Sequence, residues 1–206
     1  MWLNRYPTAE HVRATACNYW HKGVDGLYAF FAQWPHGDVE RAWLGELAHP
    51  DLMLGKTKRY HLSSRPEDGA DNAYHATMLP LDLPPGVEQS IQFVIADDLQ
   101  GEAGFRARSV TLTLTVGDLV GADNLALTLN GHSLAEMPCS RDFGNAFGPY
   151  ASQRLELTLL GDARPQRGIN VLGVQVAGRP ADLTGMVVVK EMEVGVVFSS
   201  NFGSRL

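Results

Sequence analysis

Cysteine is almost absent from the sequence. The 206 residues include only Cys17 and Cys139, which lie far apart in segments of different character. Their spacing is neither that of a disulfide framework nor that of a Cys-x-x-Cys metal site. We expect Cys17 to pack as a small hydrophobic side chain among helix residues, with a bridge to Cys139 as the alternative.

Charge is also scarce, and basic charge in particular. Charged residues make up 19% of the chain, with 17 Lys and Arg against 23 Asp and Glu, so the net charge is -6. This balance excludes the basic surface that nucleic-acid binding needs and gives no attraction to an anionic membrane. Since 45% of the residues are hydrophobic, the chain can fill a packed core. We therefore expect a globular protein that binds neither nucleic acid nor a membrane.

Long apolar runs are missing as well. No stretch reaches the length of a membrane span, so no transmembrane segment is predicted. Residues 1–8 lack the basic start and the apolar stretch of a signal peptide. Nothing in the chain directs export, and a cytoplasmic location is the default expectation.

Motifs for metal binding and catalysis are also lacking. No His-x-x-x-His pair occurs, so a zinc site is not expected. Gly-x-Ser-x-Gly elbows and glycine-rich phosphate loops are absent too. We predict no cofactor, no catalytic residues and no catalysis by this chain alone. None of the seven histidines has the spacing of a metal-binding motif; they are His11, His21, His36, His49, His61, His75 and His132.

Alternating hydrophobic residues are the most prominent positive feature. The central stretch has Val110, Leu112, Leu114 and Val116 on one parity and Thr111, Thr113 and Thr115 on the other. Period-two alternation with β-branched residues outside predicts a half-buried antiparallel strand. A second alternating run, Leu125, Leu127 and Leu129, ends at Asn130 and Gly131, which suit a tight hairpin turn.

Several further strands are predicted at residues 59–62, 90–95, 154–160, 170–176 and 188–198, with a proline-containing edge segment at 79–86. In the last strand one buried face is assigned to Val188, Met192, Val194, Val196 and Phe198, with Lys190 as the exception. Short strands separated by turns predict a mainly β fold, a jelly-roll-like antiparallel β-sandwich. We assign it to residues 56–200, followed by a tail at 201–206.

Residues 1–55 have a different, α/β character. A helix over 7–23 is predicted, capped by Thr8 and ended by Gly23. A buried, parallel-type strand at 24–31 and a helix capped by Asp38 follow. A lone parallel strand has no neighbour, so this segment either docks on the sandwich or is the end of a larger domain. The predicted buried helix positions are Val12, Ala16, Tyr19 and Trp20 in the first helix and Val39, Ala42, Trp43 and Leu47 in the second.

Two stretches resemble a known family. Residues 18–30, with the phrase Gly-Val-Asp-Gly-Leu-Tyr-Ala-Phe, resemble the last helix–strand passage of glycoside-hydrolase-like (β/α)8 barrels. Residues 44–60 resemble that group's connection into a C-terminal β-sandwich, and the hairpin at 124–131 is similar to one in that sandwich. The resemblance implies the end of a TIM barrel followed by a sandwich, without the first seven βα units. The two carboxylates that glycoside hydrolysis needs would lie in those missing units.

The resemblance implies a non-catalytic accessory region that gives structural support and makes weak contact with carbohydrate. One alternative is a subunit that completes a separately encoded barrel hydrolase in trans. Another is a β-sandwich that binds a protein partner or self-associates. The possible partners are accordingly a polysaccharide or oligosaccharide, a barrel chain, or a second copy.

Two groups of residues are candidates for sugar binding. The first follows the expected eighth strand, where the resemblance implies Trp34 as a stacking platform, although Trp34 could instead pack between loop and helix. The second lies in an aromatic loop at 142–150, whose Phe143 and Phe147 could instead cap the open end of the sandwich. The candidates are Phe31, Gln33, Trp34 and His36 in the first group and Phe143, Asn145, Phe147 and Tyr150 in the second.

A short acidic loop is the one metal candidate. Asp97, Asp98 and Glu102 offer three carboxylates, and calcium prefers oxygen ligands. The loop lacks a defined ligand spacing, so a solvated turn is the alternative interpretation.

Overall fold

The computed structural model describes residues 8–28, 37–63, 78–99, 107–145 and 152–198, and two antiparallel sheets are the main feature of these residues. The strands of sheet I are β1 (Lys58–Ser63), β2 (Leu81–Leu83), β4 (Ala107–Gly117), β7 (Cys139–Asn145), β8 (Ser152–Thr158) and β10 (Val187–Phe198). Those of sheet II are β3 (Gln89–Ile95), β5 (Asn124–Leu129), β6 (His132–Ser133) and β9 (Gly168–Gly178). Sheet I has the strand order β1-β10-β4-β8-β7, and the short β2 pairs with the start of β10. Sheet II has the order β3-β9-β5-β6.

The inner faces of the two sheets share one hydrophobic core, as in a β-sandwich. Leu112 and Leu114 of β4 are 1% and 0% exposed, and Leu172 and Val174 of β9 are both fully buried. Full burial of such side chains stabilises a fold by about 1.5–3 kcal/mol each. The alternation predicted for β4, β8 and β9 is confirmed, and so is the mainly β character.

The two halves of the central stretch belong to different sheets. β4 lies in sheet I and β5 in sheet II, so the chain crosses between the sheets in the segment 118–123. Arg179 anchors this crossing, because its Nη1 donates to Asp123 Oδ2 at 2.6 Å and to the Asp118 carbonyl at 3.2 Å. Asn130 and Gly131 have φ of 51° and 84° and join β5 to β6, which confirms the predicted hairpin turn.

The face assignment at the start of β10 was wrong. Val187 and Val189 are buried there, whereas Val188 is only partly so. The register with β4 shifts between Val189 and Glu191, which is a β-bulge at Lys190. Because a bulge adds one residue, the buried parity changes from odd to even numbers, and Met192 is the first buried residue beyond it.

Helix α1 (Ala9–His21) begins after Thr8 and ends before Gly23, whose φ is 83°. Its buried side is rotated by about one residue, or 100°, from the predicted one. Tyr19 is therefore 47% exposed, which corrects the prediction that it is buried. The residues on the buried side are Ala14, Ala16 and Cys17, and Trp20 packs beside them.

Helix α2 (Asp38–Leu47) has Gly37 as its N-cap, so Asp38 is its first residue and not its cap. The helix has no buried residues. Val39 is 69% exposed and Ala42 is also exposed, so their assignment to a buried face was wrong. Within the described part of the chain, α2 packs mainly against α1 and the 3-10 turn Pro50–Met53, which it meets through its later residues. Trp20 Nε1, for example, donates to the Leu47 carbonyl at 2.9 Å.

The predicted parallel strand is not seen over residues 24–28, and residues 29–31 lie outside the described chain. Tyr28 is 87% exposed, as it would not be in a strand covered on both faces. All strand pairs among the described residues are antiparallel. Neither described helix combines the length and hydropathy needed to cross a bilayer.

Helix α1 lies across β1 and β3, which are end strands of the two sheets. Ala14 joins the main core, and Asn18 Nδ2 donates to the Val94 carbonyl in β3 at 2.9 Å. Cys17 and the fully buried Met53 form a second small core beneath the helix. The helical segment is thus docked on the two sheets, one of the two arrangements expected from the sequence.

Candidate functional site

Strand β1 presents polar side chains to both of its faces. Lys58 and Tyr60 point into the protein and are 0% and 5% exposed, whereas Arg59 and His61 point outward. This follows from strand geometry, in which successive side chains project to opposite faces. One strand therefore contributes to two polar clusters.

The outer cluster consists of His11 on α1, His61 on β1 and Glu193 on β10. Glu193 lies directly opposite His61 in the register of β1 with β10. Its Oε2 is 3.0 Å from His11 Nε2 and 3.7 Å from His61 Nδ1. The two imidazole rings meet edge to face, with their centroids 5.8 Å apart. Helix α1 and strand β1 thus each bring an imidazole ring to the same carboxylate oxygen, which belongs to β10.

The ring of His11 is held in position by the start of α1. His11 is the third residue of the helix, and the backbone N–H of Thr8 donates to its Nδ1 at 3.3 Å. Thr8 Oγ1 lies 3.0 Å from the same nitrogen. Because Nδ1 accepts from Thr8, the ring proton resides on Nε2 and is donated to Glu193. The helix cap therefore also aims the imidazole at the carboxylate.

The electrostatics of the outer cluster favour an ionised Glu193 and a neutral His61. The hydrogen bond from His11 lowers the pKa of Glu193, and the charge of Arg59, whose Nη1 donates to Oε1 at 3.2 Å, acts in the same direction. Burial lowers the pKa of His61, although the charges of Glu191 and Glu193 oppose this. The outer cluster therefore combines the carboxylate anion of Glu193 with the neutral imidazole of His61.

The inner cluster consists of Lys58, Tyr60 and Asp97, the last of which follows β3. Lys58 Nζ donates to Asp97 Oδ1 and Tyr60 Oη donates to Asp97 Oδ2, both at 2.8 Å. Burial and the adjacent carboxylate raise the pKa of Tyr60. Lys58 Nζ also lies 5.3 Å from the ring centroid of Phe198. This cluster links the edge strand of sheet I to the end of an edge strand of sheet II.

The acidic loop of Asp97, Asp98 and Glu102 is described only in part, so its two interpretations stay predictions. The Asp97 side chain is 7% exposed, which differs from the solvated position expected for a surface turn. Its two oxygens accept hydrogen bonds from Lys58 and Tyr60 inside the protein. Asp98 is exposed beside it, and Glu102 lies outside the described residues.

The predicted sugar-binding residues fall largely outside the structure's described ranges. This applies to Phe31, Gln33, Trp34 and His36, and also to Phe147 and Tyr150. Phe143 and Asn145 belong to β7, so the expected aromatic loop does not begin at 142. The strand continues because β7 pairs with β8 as far as Asn145 opposite Ser152, across an irregularity after Asp142.

The outer cluster has no local signature in the sequence. His11 and Glu193 are 182 positions apart, and no spacing rule connects them to His61. Strand alternation could have placed His61 and Glu193 on the outer face of their strands. The pairing of β1 with β10, the first and last strands of the fold, is what brings them together.

A scan against protein families finds no match to this chain, and a search of curated proteins finds no relative.

Proposed function

We propose that this chain is a non-catalytic C-terminal accessory region of a glycoside-hydrolase-like protein, in which a jelly-roll-like sandwich supports the end of a (β/α)8 barrel. The family assignment comes from the sequence motifs at residues 18–30, 44–60 and 124–131. The observation that carries the supporting role is the docking of α1 across the edge strands of both sheets.

Specific ion pairs and hydrogen bonds hold α1 against the sheets and α2 against α1. Arg13 Nε and Lys56 Nζ both bind Glu46, at 2.6 Å and 2.9 Å, and so tie α1 and α2 to the segment that enters β1. Trp20 adds its hydrogen bond to the end of α2, and Asn18 adds one to β3. A module that supports a neighbouring domain needs such a connection, since few contacts would leave the two units free to move.

The use of the buried carboxylates favours a role without catalysis. Glycoside hydrolysis requires two carboxyl groups about 5–10 Å apart on either side of an open substrate site. Asp97 and Asp123, the buried acids of the described chain, are each engaged in an internal ion pair, with Lys58 and Arg179. These acids hold the fold together and do not face a substrate.

The absence of catalysis can be tested by incubating the purified chain with a panel of soluble polysaccharides and measuring the release of reducing sugar. We expect no release above that of a heat-denatured sample. Release that scales with the concentration of folded chain would overturn the proposal.

Carbohydrate contact can be tested by titrating the same polysaccharides and following tryptophan fluorescence. We expect weak binding, at millimolar sugar, that Trp34→Ala abolishes. Tyr19→Ala, which removes an exposed aromatic side chain from the outer side of α1, is the matched control and should bind normally. If the native chain does not respond, carbohydrate contact is excluded and only the supporting role is left.

A second function, completion of a separately encoded barrel in trans, is favoured by the segment 24–28. This segment matches the barrel motif but forms no strand in the described structure. A barrel partner would offer it a neighbouring strand. Co-expression with a polypeptide that supplies the preceding βα units should yield a co-eluting complex with hydrolase activity. Separate elution of the two chains would exclude this role.

A further inference from the structure

We propose that His11, His61 and Glu193 form a binding site for a divalent transition-metal ion, with Zn²⁺ as the best fit. Two imidazole nitrogens and one carboxylate oxygen are a ligand set that zinc accepts in proteins. Calcium and magnesium prefer all-oxygen sites, so the two histidines disfavour them. The inference concerns residues of this chain alone and does not depend on the proposed accessory role.

The geometry needs little adjustment. The three ligand atoms all lie within 4.8 Å of one another. Tetrahedral zinc with bonds of about 2.0–2.1 Å places its ligands about 3.4 Å apart. The Glu193 oxygen is already 3.0 Å from one histidine nitrogen and 3.7 Å from the other. Shifts of about 1 Å in the positions of the ligand atoms would therefore place them at three corners of a zinc tetrahedron.

The protons can be arranged for metal binding. Zn²⁺ binds a carboxylate and the neutral form of imidazole, so each histidine must offer one unprotonated ring nitrogen. His11 must release the Nε2 proton and take up one on Nδ1, which leaves the ring neutral. The Thr8 backbone N–H then gives up its hydrogen bond to Nδ1, and Thr8 Oγ1, 3.0 Å from that nitrogen, is placed to accept a hydrogen bond from the new N–H group. Metal-bound histidines commonly donate their second ring N–H in this way.

The site is accessible and leaves one position for a water molecule. The side chains of His11, His61 and Glu193 are 27%, 36% and 17% exposed. Arg59 engages Oε1 of Glu193, so Oε2 is the oxygen left for a metal ion. The positive charge of Arg59 opposes a bound cation, whereas the nearby carboxylate of Glu191 favours it. Three protein ligands with an open fourth position are typical of zinc sites that exchange their fourth ligand.

A metal ion here would join α1 to β1 and β10, which carry His61 and Glu193. Since the ligands converge only in the folded chain, metal binding would stabilise the docked helix. We therefore expect Zn²⁺ to raise the midpoint of thermal unfolding as well as to bind.

The experiment uses the full chain without a histidine tag, first stripped with EDTA. Isothermal titration with Zn²⁺ should give one site per chain, and Co²⁺ should give the visible absorption bands of a tetrahedral complex. A stoichiometry well below one, or binding that never saturates, would overturn the proposal.

Three variants locate the site. His61→Gln and Glu193→Gln each remove a ligand at the protein surface, and we expect Zn²⁺ to bind at least about tenfold more weakly, since even outer partners of a metal site contribute that much. The matched control, His132→Gln in β6, should bind like the native chain. Native affinity in both ligand variants would overturn the assignment, as would an equal loss in the control.

Unfolding measurements guard against loss of folding in the variants. His61 is on the exposed face of an edge strand, so His61→Gln should unfold at the native temperature in EDTA. Zn²⁺ should raise the midpoint of the native chain but not that of His61→Gln. An equal increase in both would place the metal elsewhere and contradict the proposal.

Discussion

The inner and outer clusters share strand β1 but differ in solvent access. The inner cluster of Lys58, Tyr60 and Asp97 is dry, and each charged or polar side chain has a partner inside the protein. The outer cluster of His11, His61 and Glu193 is partly solvated, so its groups can exchange protons with water. Alternate residues of one strand therefore lie in two different environments, one closed to solvent and one open to it.

The difference in environment also sets the energy of each interaction. Charges attract strongly where water is excluded, and a buried charge that loses its partner is strongly destabilising. Exposed pairs are screened and contribute about 0–1 kcal/mol. Substitutions on the two faces of β1 should therefore differ in their effect on stability, and the following predictions test that difference.

The largest effect is expected for Asp97→Ala in the inner cluster. This change leaves the fully buried Lys58 without its counter-ion and the Tyr60 hydroxyl without its acceptor. We expect the free energy of unfolding to fall by about 3–5 kcal/mol in urea denaturation. The double variant Lys58→Met/Asp97→Leu, which removes both charges, should recover much of the loss. A loss below about 1 kcal/mol in Asp97→Ala would show that the cluster is solvated.

Thiol reactivity should separate the region beneath α1 from the protein surface. Cys17 is buried next to the inner cluster, and its desolvation raises the pKa of the thiol to about 11, whereas Cys139 is exposed. Compared with a thiol at the usual value of 9.0, Cys17 has about a hundredfold less thiolate at pH 8. Alkylation by iodoacetamide, followed by mass spectrometry, should modify Cys139 first. Equal rates in the folded chain would contradict the docked position of α1.

Acidification should weaken the fold through the outer cluster. His61 has a lowered pKa when folded, so the unfolded chain binds its proton more readily and stability falls as the pH drops below the usual value of 6.5. The pKa of Glu193 is also lowered in the folded chain, so protonation of this group adds a further loss of stability below pH 4.5, its usual pKa. The carboxylates of Glu191 and Glu193 raise the pKa of His61 and so oppose the effect of burial.

We expect a loss of at most about 1 kcal/mol from His61 between pH 7.5 and pH 5, because solvent screens this half-exposed group. Urea denaturation at the two pH values measures it. His61→Gln should show a smaller decrease than the native chain, with His132→Gln as the control. A decrease of the same size in His61→Gln would mean that other groups titrate.

The smallest effect is expected for Arg59→Ala on the outer face. Arg59 is half exposed and binds Glu193 at 3.2 Å, so its loss should change the unfolding free energy by about 0–1 kcal/mol. A loss comparable to that of Asp97→Ala would remove the contrast between the two faces. The same variant should bind Zn²⁺ at least as tightly as the native chain, because it removes a competing positive charge.

Much of the sheet structure was predictable from local alternation. Leu112, Leu114, Leu155, Leu157, Leu172 and Val174 are all buried as their parity predicted. Alternation fails where a strand is irregular, since the bulge at Lys190 reverses the parity and moves Val188 off the buried face. Alternation also does not specify which strands pair with each other, so it could not predict that β4 and β5 belong to different sheets.

The helical segment and the clusters were harder to predict. The face of α1 was misplaced by one residue because Ala14 and Cys17, small side chains that allow close packing, give a weaker periodic signal than Tyr19. The clusters depend on contacts between the first and last strands and on a helix that covers them. Such contacts follow from topology, which a single sequence does not determine.

The position of α1 also bears on how copies of this protein behave toward one another. The end strands β1 and β3 each have a hydrogen-bonded neighbour on one side within the described sheets, and α1 lies against both strands. We expect a chain without α1 to expose more of the backbone donors and acceptors of these two strands. Because exposed strand edges pair with strands of other molecules, we expect the helix to reduce aggregation by edge pairing.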